Sequence, residues 1–390
     1  MLRRLLRGNP GAAAPSLDGA HEDVAQLERE GPRPLAPGAA EASTAASLRV
    51  AVVVPWLLEG SGGHTTILNL VRRLELRGHD CSLWVHDPGG RHAAESNEAL
   101  AAKVTDWYGG MRGPVRRGFD DWQGADVALA TGWQTVHRVL LLDGCRARAY
   151  LVQDHEPEFY ATSAESRWAA ETYRLGLHCI TAGTWLRDLM AHNYGAGASH
   201  FDLGVDHGVY RPRELEREPK SILFYARTIT PRRAVPLGML ALAEVKRRDP
   251  GVRVHLFGDE RRPPASFHYH HLGLLAPEAL AATYARLEAG LVLSLTNYSL
   301  IAQEMMACGL PCVELDGRST RAAFGNEPPL ELAAPTPAAI ADALERLLRD
   351  PELRAERRAA GLAFVAERTW EHAAEQVEDG LRAALRPPSG

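Results

Sequence analysis

The chain has 390 residues, 45% of them hydrophobic and 24% charged, enough for two ordinary domains with substantial cores. Its formal net charge of −5 argues against a general nucleic-acid-binding surface, although Arg112, Arg116 and Arg117 form a local basic patch that reads equally as a solvated face. No run of about 18 apolar residues occurs, so no transmembrane helix is expected, and the five cysteines, with no C-x-x-C pair, read as small core residues of a reducing compartment.

Residues 1–45 are rich in Ala, Gly, Pro and charge without a sustained period, and read as a flexible leader. MLRRLLRGNP is followed by GAAAPS rather than an apolar h-region, so no secretory signal is expected and the cytoplasm is the default. Arg3, Arg4 and Arg7 with Leu2, Leu5 and Leu6 offer a peripheral contact to a membrane surface, though the stretch is too short to bind strongly alone.

Residues 48–54, LRVAVVV, form a continuous apolar run typical of a strand buried on both faces of a parallel sheet. Gly60, Gly62 and Gly63 then make a permissive turn before a helix carrying Ile67, Leu68, Val71 and Leu74 at helical spacing, which stops at Gly78. Strands are expected at 81–87, 126–130, 149–152 and 178–181, with helices through Leu142, over 164–175 and after Gly183. The strand at 149–152 ends in Gln153-Asp154-His155-Glu156-Pro157, polar groups at the carboxyl end of a strand, where doubly wound sheets bind ligands. After an irregular stretch over 201–212 the alternation restarts: strand 221–225, helix 237–247, strand 252–257 ending at Gly258-Asp259, and helix 277–287. Two βα series separated by a linker imply an α/β protein of two Rossmann-like domains with a cleft between them.

The most informative run is 291–315, LVLSLTNYSLIAQEMMACGLPCVEL. An apolar strand over 291–295 leads through Thr296, Asn297, Tyr298 and Ser299 into a helix starting near Leu300. The helix ends at Cys308, with Gly309 as a left-handed residue after it and Pro311 forbidding continuation. Ser299 stands as an N-cap, so the unpaired N–H groups of this helix would face outward from the strand end, a place to hold a phosphate. Glu304 on the same helix could accept from two adjacent sugar hydroxyls, or be an ordinary surface carboxylate. Arg227, Arg232 and Arg233 follow the first strand of the second series. A guanidinium suits phosphate because it offers paired donors in a plane, while an Arg pair taken alone reads as surface. Among 16 histidines, His268, His270 and His271 lie close together, but no Cys or carboxylate completes a recognised metal spacing. Residues 337–385 are expected to be helical.

Gly62-Gly63-His64, QDHEP, ARTITPRRA and SLTNYSLIAQEMMACGLPCVEL resemble the retaining GT-B glycosyltransferases of the family 4 type, and TNYSL with QEMMACGLP is most similar to the bacterial rhamnosyltransferase branch. The resemblance covers residues 48–385. It implies two Rossmann-like domains facing a central cleft: an acceptor-side domain over 46–205, a nucleotide-sugar domain over 206–369 entered through GVDHGVYRP, and a helix over 370–390 returning to the first domain. Arg227 with either Arg232 or Arg233 would grip the donor diphosphate. Gly62 and Gly63 would approach it from the first domain, and Asn297, Tyr298, Ser299, Leu300 and Glu304 would line the donor, as would Gly258 and, beside the base, Gly273. His155 would meet the transferred sugar or acceptor, with Asp154 the alternative general base. The donor implied is dTDP-L-rhamnose as co-substrate, without cofactor or metal, and the acceptor a glycan or lipid-linked glycan of a bacterial surface polysaccharide. In the common form of the motif a glutamate stands eight residues before Glu304; here that residue is Thr296. Two other readings stay open: a UDP- or GDP-hexose donor, and a catalytically silent partner that binds a nucleotide-sugar or a glycan.

Overall fold

The computed structural model describes residues 18–386. Its contacts group the chain into two compact units, one of residues up to 64, 74–151 and from 381 onward, the other of residues 65–73 and 152–380. Both are built on parallel sheets.

In the first unit come α1 (Asp18–Glu30), α2 (Ala39–Thr44), β1 (Arg49–Val54), α3 (Gly62–Leu76), β2 (Asp80–Val85), α4 (Asn97–Tyr108), β3 (Val115–Arg117), β4 (Ala125–Ala130), α5 (Trp133–Leu140) and β5 (Cys145–Val152), with the middle of α3 grouped in the second unit. The strands run in the order β3-β2-β1-β4-β5. Val50 stands beside Cys81 on one side and Val127 on the other. Residues Val50 to Val54 are all buried, as expected of a central strand covered on both faces. Each such valine contributes about 1.5–3 kcal/mol on leaving water.

The second unit opens with α6 (Ala164–Thr172), β6 (His178–Ala182), α7 (Thr184–Tyr194) and β7 (Ala198–Phe201), and β6 pairs in parallel with β7. There follow β8 (Ser221–Tyr225), α8 (Val235–Arg248), β9 (Arg253–Phe257), β10 (His270–His271), α9 (Pro277–Arg286), β11 (Ala289–Leu291), α10 (Leu300–Ala307), β12 (Cys312–Leu315), α11 (Arg318–Phe324), β13 (Glu331–Ala333), α12 (Pro337–Arg349), α13 (Pro351–Val365) and α14 (Trp370–Ala384). Six strands form a sheet in the order β10-β9-β8-β11-β12-β13. The order reverses between β8 and β11, so loops leaving their carboxyl ends diverge and leave room for a ligand. Ile222, Phe224, Leu242, Leu291, Val313 and Leu344 belong to the core beneath them.

Part of the stretch read as a flexible leader is ordered. Composition missed a tertiary anchor: α1 packs on α5, and the carboxylate of Asp23, fully buried, pairs with Arg138 and lies 2.5 Å from His86 Nε2. Beyond α1 the backbone is tied down as well, Arg33 N donating to Leu140 O at 2.9 Å and Ala36 N to Cys145 O at 2.7 Å. Arg3, Arg4 and Arg7 lie outside the described residues. The strand expected over 291–295 lies earlier and is shorter, β11 spanning Ala289–Leu291. Val292 N still donates to Val313 O at 3.0 Å, after which Leu295 N turns away to Arg232 O at 3.0 Å. All five cysteines are buried and unpaired. Among the described residues no helix is long and apolar enough to cross a membrane.

Candidate functional site

The site is built around the turn between β11 and α10. Ser299 caps α10 as its sequence position suggests, its hydroxyl accepting from Ile301 N at 3.3 Å, and Leu300 opens the helix. The far end closes on Gly309 at φ 69°, a conformation natural to glycine. Asn297 acts as a staple. Its Nδ2 donates to Gln153 O at 3.0 Å and Ala182 O at 2.9 Å, its Oδ1 accepts from Tyr298 N at 3.0 Å, and its backbone N–H donates to Asp154 Oδ1 at 2.9 Å. Tyr298 is buried against Gly183, where a Cβ would stand 3.1 Å from the ring, and burial pushes its phenol up to about 12.

Asp154 is the hub of this turn. Oδ1 also accepts from His155 N at 2.8 Å, while Oδ2 accepts from Thr296 Oγ1 at 2.9 Å and lies 3.0 Å from Arg232 Nε. The guanidinium of Arg232 also lies over the Phe159 ring, 4.1 Å from its centroid. Burial lowers the Arg232 pKa and Asp154 works in the opposite direction. With both carboxylate oxygens occupied, Asp154 orients Arg232 and the turn. His155 sits between Tyr194 OH, 2.7 Å from Nε2, and Glu158 Oε1, 3.1 Å from Nδ1, and stacks on Tyr173.

The loop from β8 to α8 carries the three arginines. Arg233 Nη1 donates to Ser294 Oγ at 2.6 Å, and the backbone bond from Leu295 N to Arg232 O joins this loop to the one entering α10. Successive residues of the 3-10 turn Pro231–Arg233 thus reach different partners. Arg227 is half-buried and, among the described residues, makes no side-chain hydrogen bond or ion pair. The loop is shaped by Asp259, whose Oδ2 accepts from Thr228 N at 2.9 Å, Ile229 N at 3.3 Å and the Thr228 hydroxyl, and whose Oδ1 accepts from Arg261 N at 2.9 Å. Burial alone would raise its pKa, but these donors hold it below the usual carboxylate range.

Gly258 and Gly273, at φ 99° and 66°, join through a bond from Gly258 N to Gly273 O of 2.9 Å. A Cβ at Gly258 would stand 2.5 Å from the Tyr225 ring, so this loop requires glycine. Glu304 is buried rather than a surface group. Tyr284 OH donates to its Oε2 at 3.4 Å and Tyr210 bonds it as well. Burial raises its pKa to about 8 against the effect of both phenols, so at neutral pH the carboxyl is largely protonated and can donate as well as accept. Gly62 and Gly63 open α3 in the first unit, where a Cβ at Gly62 would meet no atom within 4 Å.

Asp154, His155, Arg232, Arg233 and the 297–300 turn therefore form one linked set, with Arg227 on the same loop as the arginine pair. The sequence reading gave no site role to Asp259, Tyr210 or Tyr284, whose bonds to Thr228 and to Glu304 join residues far apart in the chain. Among the described residues no group of three or more His, Cys, Asp or Glu is placed to hold a metal ion; His255, His268 and His270 pack ring on ring instead.

Residues 220–345 match the model of the WsaF C-terminal domain. The chain is 33% identical to the O-antigen biosynthesis protein RfbC of Myxococcus xanthus, a match that takes 66% of this chain and 20% of RfbC, so the chain spans about a fifth of that relative's length. It is 32% identical to D-inositol 3-phosphate glycosyltransferase of Frankia alni over 68% of this chain and 73% of that protein. Anabaena HepE, solved in complex with UDP and glucose, shares the fold with a TM-score of 0.62 at 13% identity, over 85% of this chain and 98% of HepE. With two parallel-sheet Rossmann-like units, and a curated relative of this identity matched over most of its length, the chain belongs to the GT-B glycosyltransferases.

Proposed function

We propose that this chain transfers L-rhamnose, with retention of configuration, from dTDP-L-rhamnose to a glycan or lipid-linked glycan acceptor in surface polysaccharide synthesis. The observation that carries the reading is the bonding of the arginine loop to the turn that opens α10, through Arg233 with Ser294 and Arg232 O with Leu295 N. Cations and helix N–H groups are thereby presented on one framework, as an anionic leaving group requires. Arg227, without a protein partner among the described residues, is the cation available to meet diphosphate charge as the bond from C1 to the phosphate oxygen breaks. The acceptor oxygen forms the new bond to C1 on the same face, and its proton passes to the departing phosphate. Glu304 meets donor hydroxyls, His155 meets the sugar or acceptor, and Asp154 holds Arg232. The choice of deoxyhexose follows the TNYSL and QEMMACG wording, and the polysaccharide setting follows the name of RfbC.

The test is thermal stabilisation of the purified chain by dTDP, UDP, GDP and their sugars, followed by turnover and the anomeric configuration of the product. Selective stabilisation by dTDP and dTDP-rhamnose with a retained anomer supports the reading. Preference for UDP or GDP overturns the donor, an inverted product overturns retention, and no response to any nucleotide favours a silent partner protein.

A further inference from the structure

The strand β12 contains a residue that packing does not explain. Glu314 stands between Val313 and Leu315 of the hydrophobic core and is fully buried. A carboxylate in that place is costly unless each oxygen is engaged. Oε1 accepts from Ser294 N at 2.8 Å and Leu315 N at 2.9 Å, and Oε2 accepts from Ser294 Oγ at 3.1 Å. The same Ser294 hydroxyl receives Arg233 Nη1 at 2.6 Å.

With Glu314 ionised, the direction of this chain of bonds is fixed by chemistry. A guanidinium has donors only, so Ser294 must accept from Arg233 with a lone pair. The single hydrogen of Ser294 then needs an acceptor, and Glu314 Oε2 supplies it. We propose that Glu314 is a positioning residue that, through Ser294, fixes the Arg233 guanidinium for the donor diphosphate. Its geometry stands on the contacts above; its purpose rests on the donor-site reading given under Proposed function. An alternative is that Glu314 serves only the backbone N–H groups of Ser294 and Leu315. Ser294→Ala separates the two, because it removes the relay and leaves both backbone bonds in place. Glu314→Gln does so in a second way. The amide oxygen can still accept from the two N–H groups, but an NH2 facing Ser294 Oγ donates to it and competes with Arg233.

The experiment uses the full chain. Arginine side-chain NMR reports the order of the Arg233 guanidinium, its signal assigned by loss in Arg233→Lys, and thermal stabilisation by dTDP reports binding in the same samples. Wild type and Ser294→Thr, which keeps the hydroxyl, are expected to hold an ordered Arg233. Ser294→Ala and Glu314→Gln are expected to release it and to weaken dTDP binding roughly tenfold to a hundredfold, the span of one charge-assisted hydrogen bond. Arg233 equally ordered in wild type and Ser294→Ala would overturn the proposal whatever the nucleotide does. Should Glu314→Gln fail to fold, Ser294→Ala beside Ser294→Thr still decides. Release of Arg233 with unchanged dTDP affinity supports the relay and overturns the donor-site reading instead.

Discussion

Thr296 Oγ1 donates to Asp154 Oδ2 at 2.9 Å, so the position where the resembling family has a glutamate holds a hydroxyl bonded to a carboxylate from another segment. Restoring the glutamate is therefore not a gain. Thr296→Glu would set a second carboxylate against buried Asp154 and disturb its pair with Arg232; the expected loss is about 1–3 kcal/mol of stability. Thr296→Val, which only removes the donor, should lose about 1–2 kcal/mol. Denaturant midpoints of the two variants check this, and a Thr296→Glu protein as stable as wild type would refute the assignment.

Glu304 makes stability depend on pH in a defined direction. Its pKa rises from 4.5 to about 8 because burial penalises the charged form. The native state therefore holds a proton that the unfolded chain gives up between these values, so stability falls as pH rises from about 4.5 to about 8 and levels above. Over that interval the effect is on the order of a few kcal/mol. Glu304→Gln should flatten this decline, while Glu314, raised by burial to about 7, keeps its own share in both proteins. Parallel stability curves for wild type and Glu304→Gln from about pH 5 to pH 8 would count against the buried carboxyl.

What the sequence made legible were signals written locally. The strand at 221–225 is observed as β8, Ser299 caps α10, and Gly309 with Pro311 ends it, because apolar runs, caps and stops act within a few residues. Partners far apart in the chain were not legible. Thr296 and Asp154 are 142 positions apart, and Asp23 meets Arg138 across 115. The choice between Arg232 and Arg233 also needed coordinates, since adjacent residues of one tight turn go to Asp154 and Ser294. Glu314 reads as an ordinary break in an apolar strand until Ser294 is seen beside it.

Asp23 should govern the docking of α1. With its carboxylate fully buried between Arg138 and His86, Asp23→Ala would leave the partly buried Arg138 guanidinium without its anionic partner. Removing one partner of such a group costs about 3–5 kcal/mol. Hydrogen exchange should show loss of protection first in α1 and then in α5, on which it packs. Unchanged protection in α1 would show that its apolar contacts alone hold it.

Arg227 separates a catalytic part from a structural one. Because it makes no side-chain bond among the described residues, Arg227→Ala should alter stability by no more than about 0.5 kcal/mol. Under the proposed function the diphosphate charge it meets grows as the glycosidic bond breaks, so turnover should fall about a hundredfold while the KM for the donor changes little. Steady-state kinetics against a melting curve of the same preparation distinguishes three cases. A fall in kcat with an unchanged melting temperature supports a transition-state part. A rise in KM at constant kcat reduces Arg227 to ground-state binding of the donor, because the lost interaction would then have been equal in both states. No change in either constant takes Arg227 out of the donor site and leaves Arg232 and Arg233, the two that the fold has already tied in place, to face the diphosphate alone.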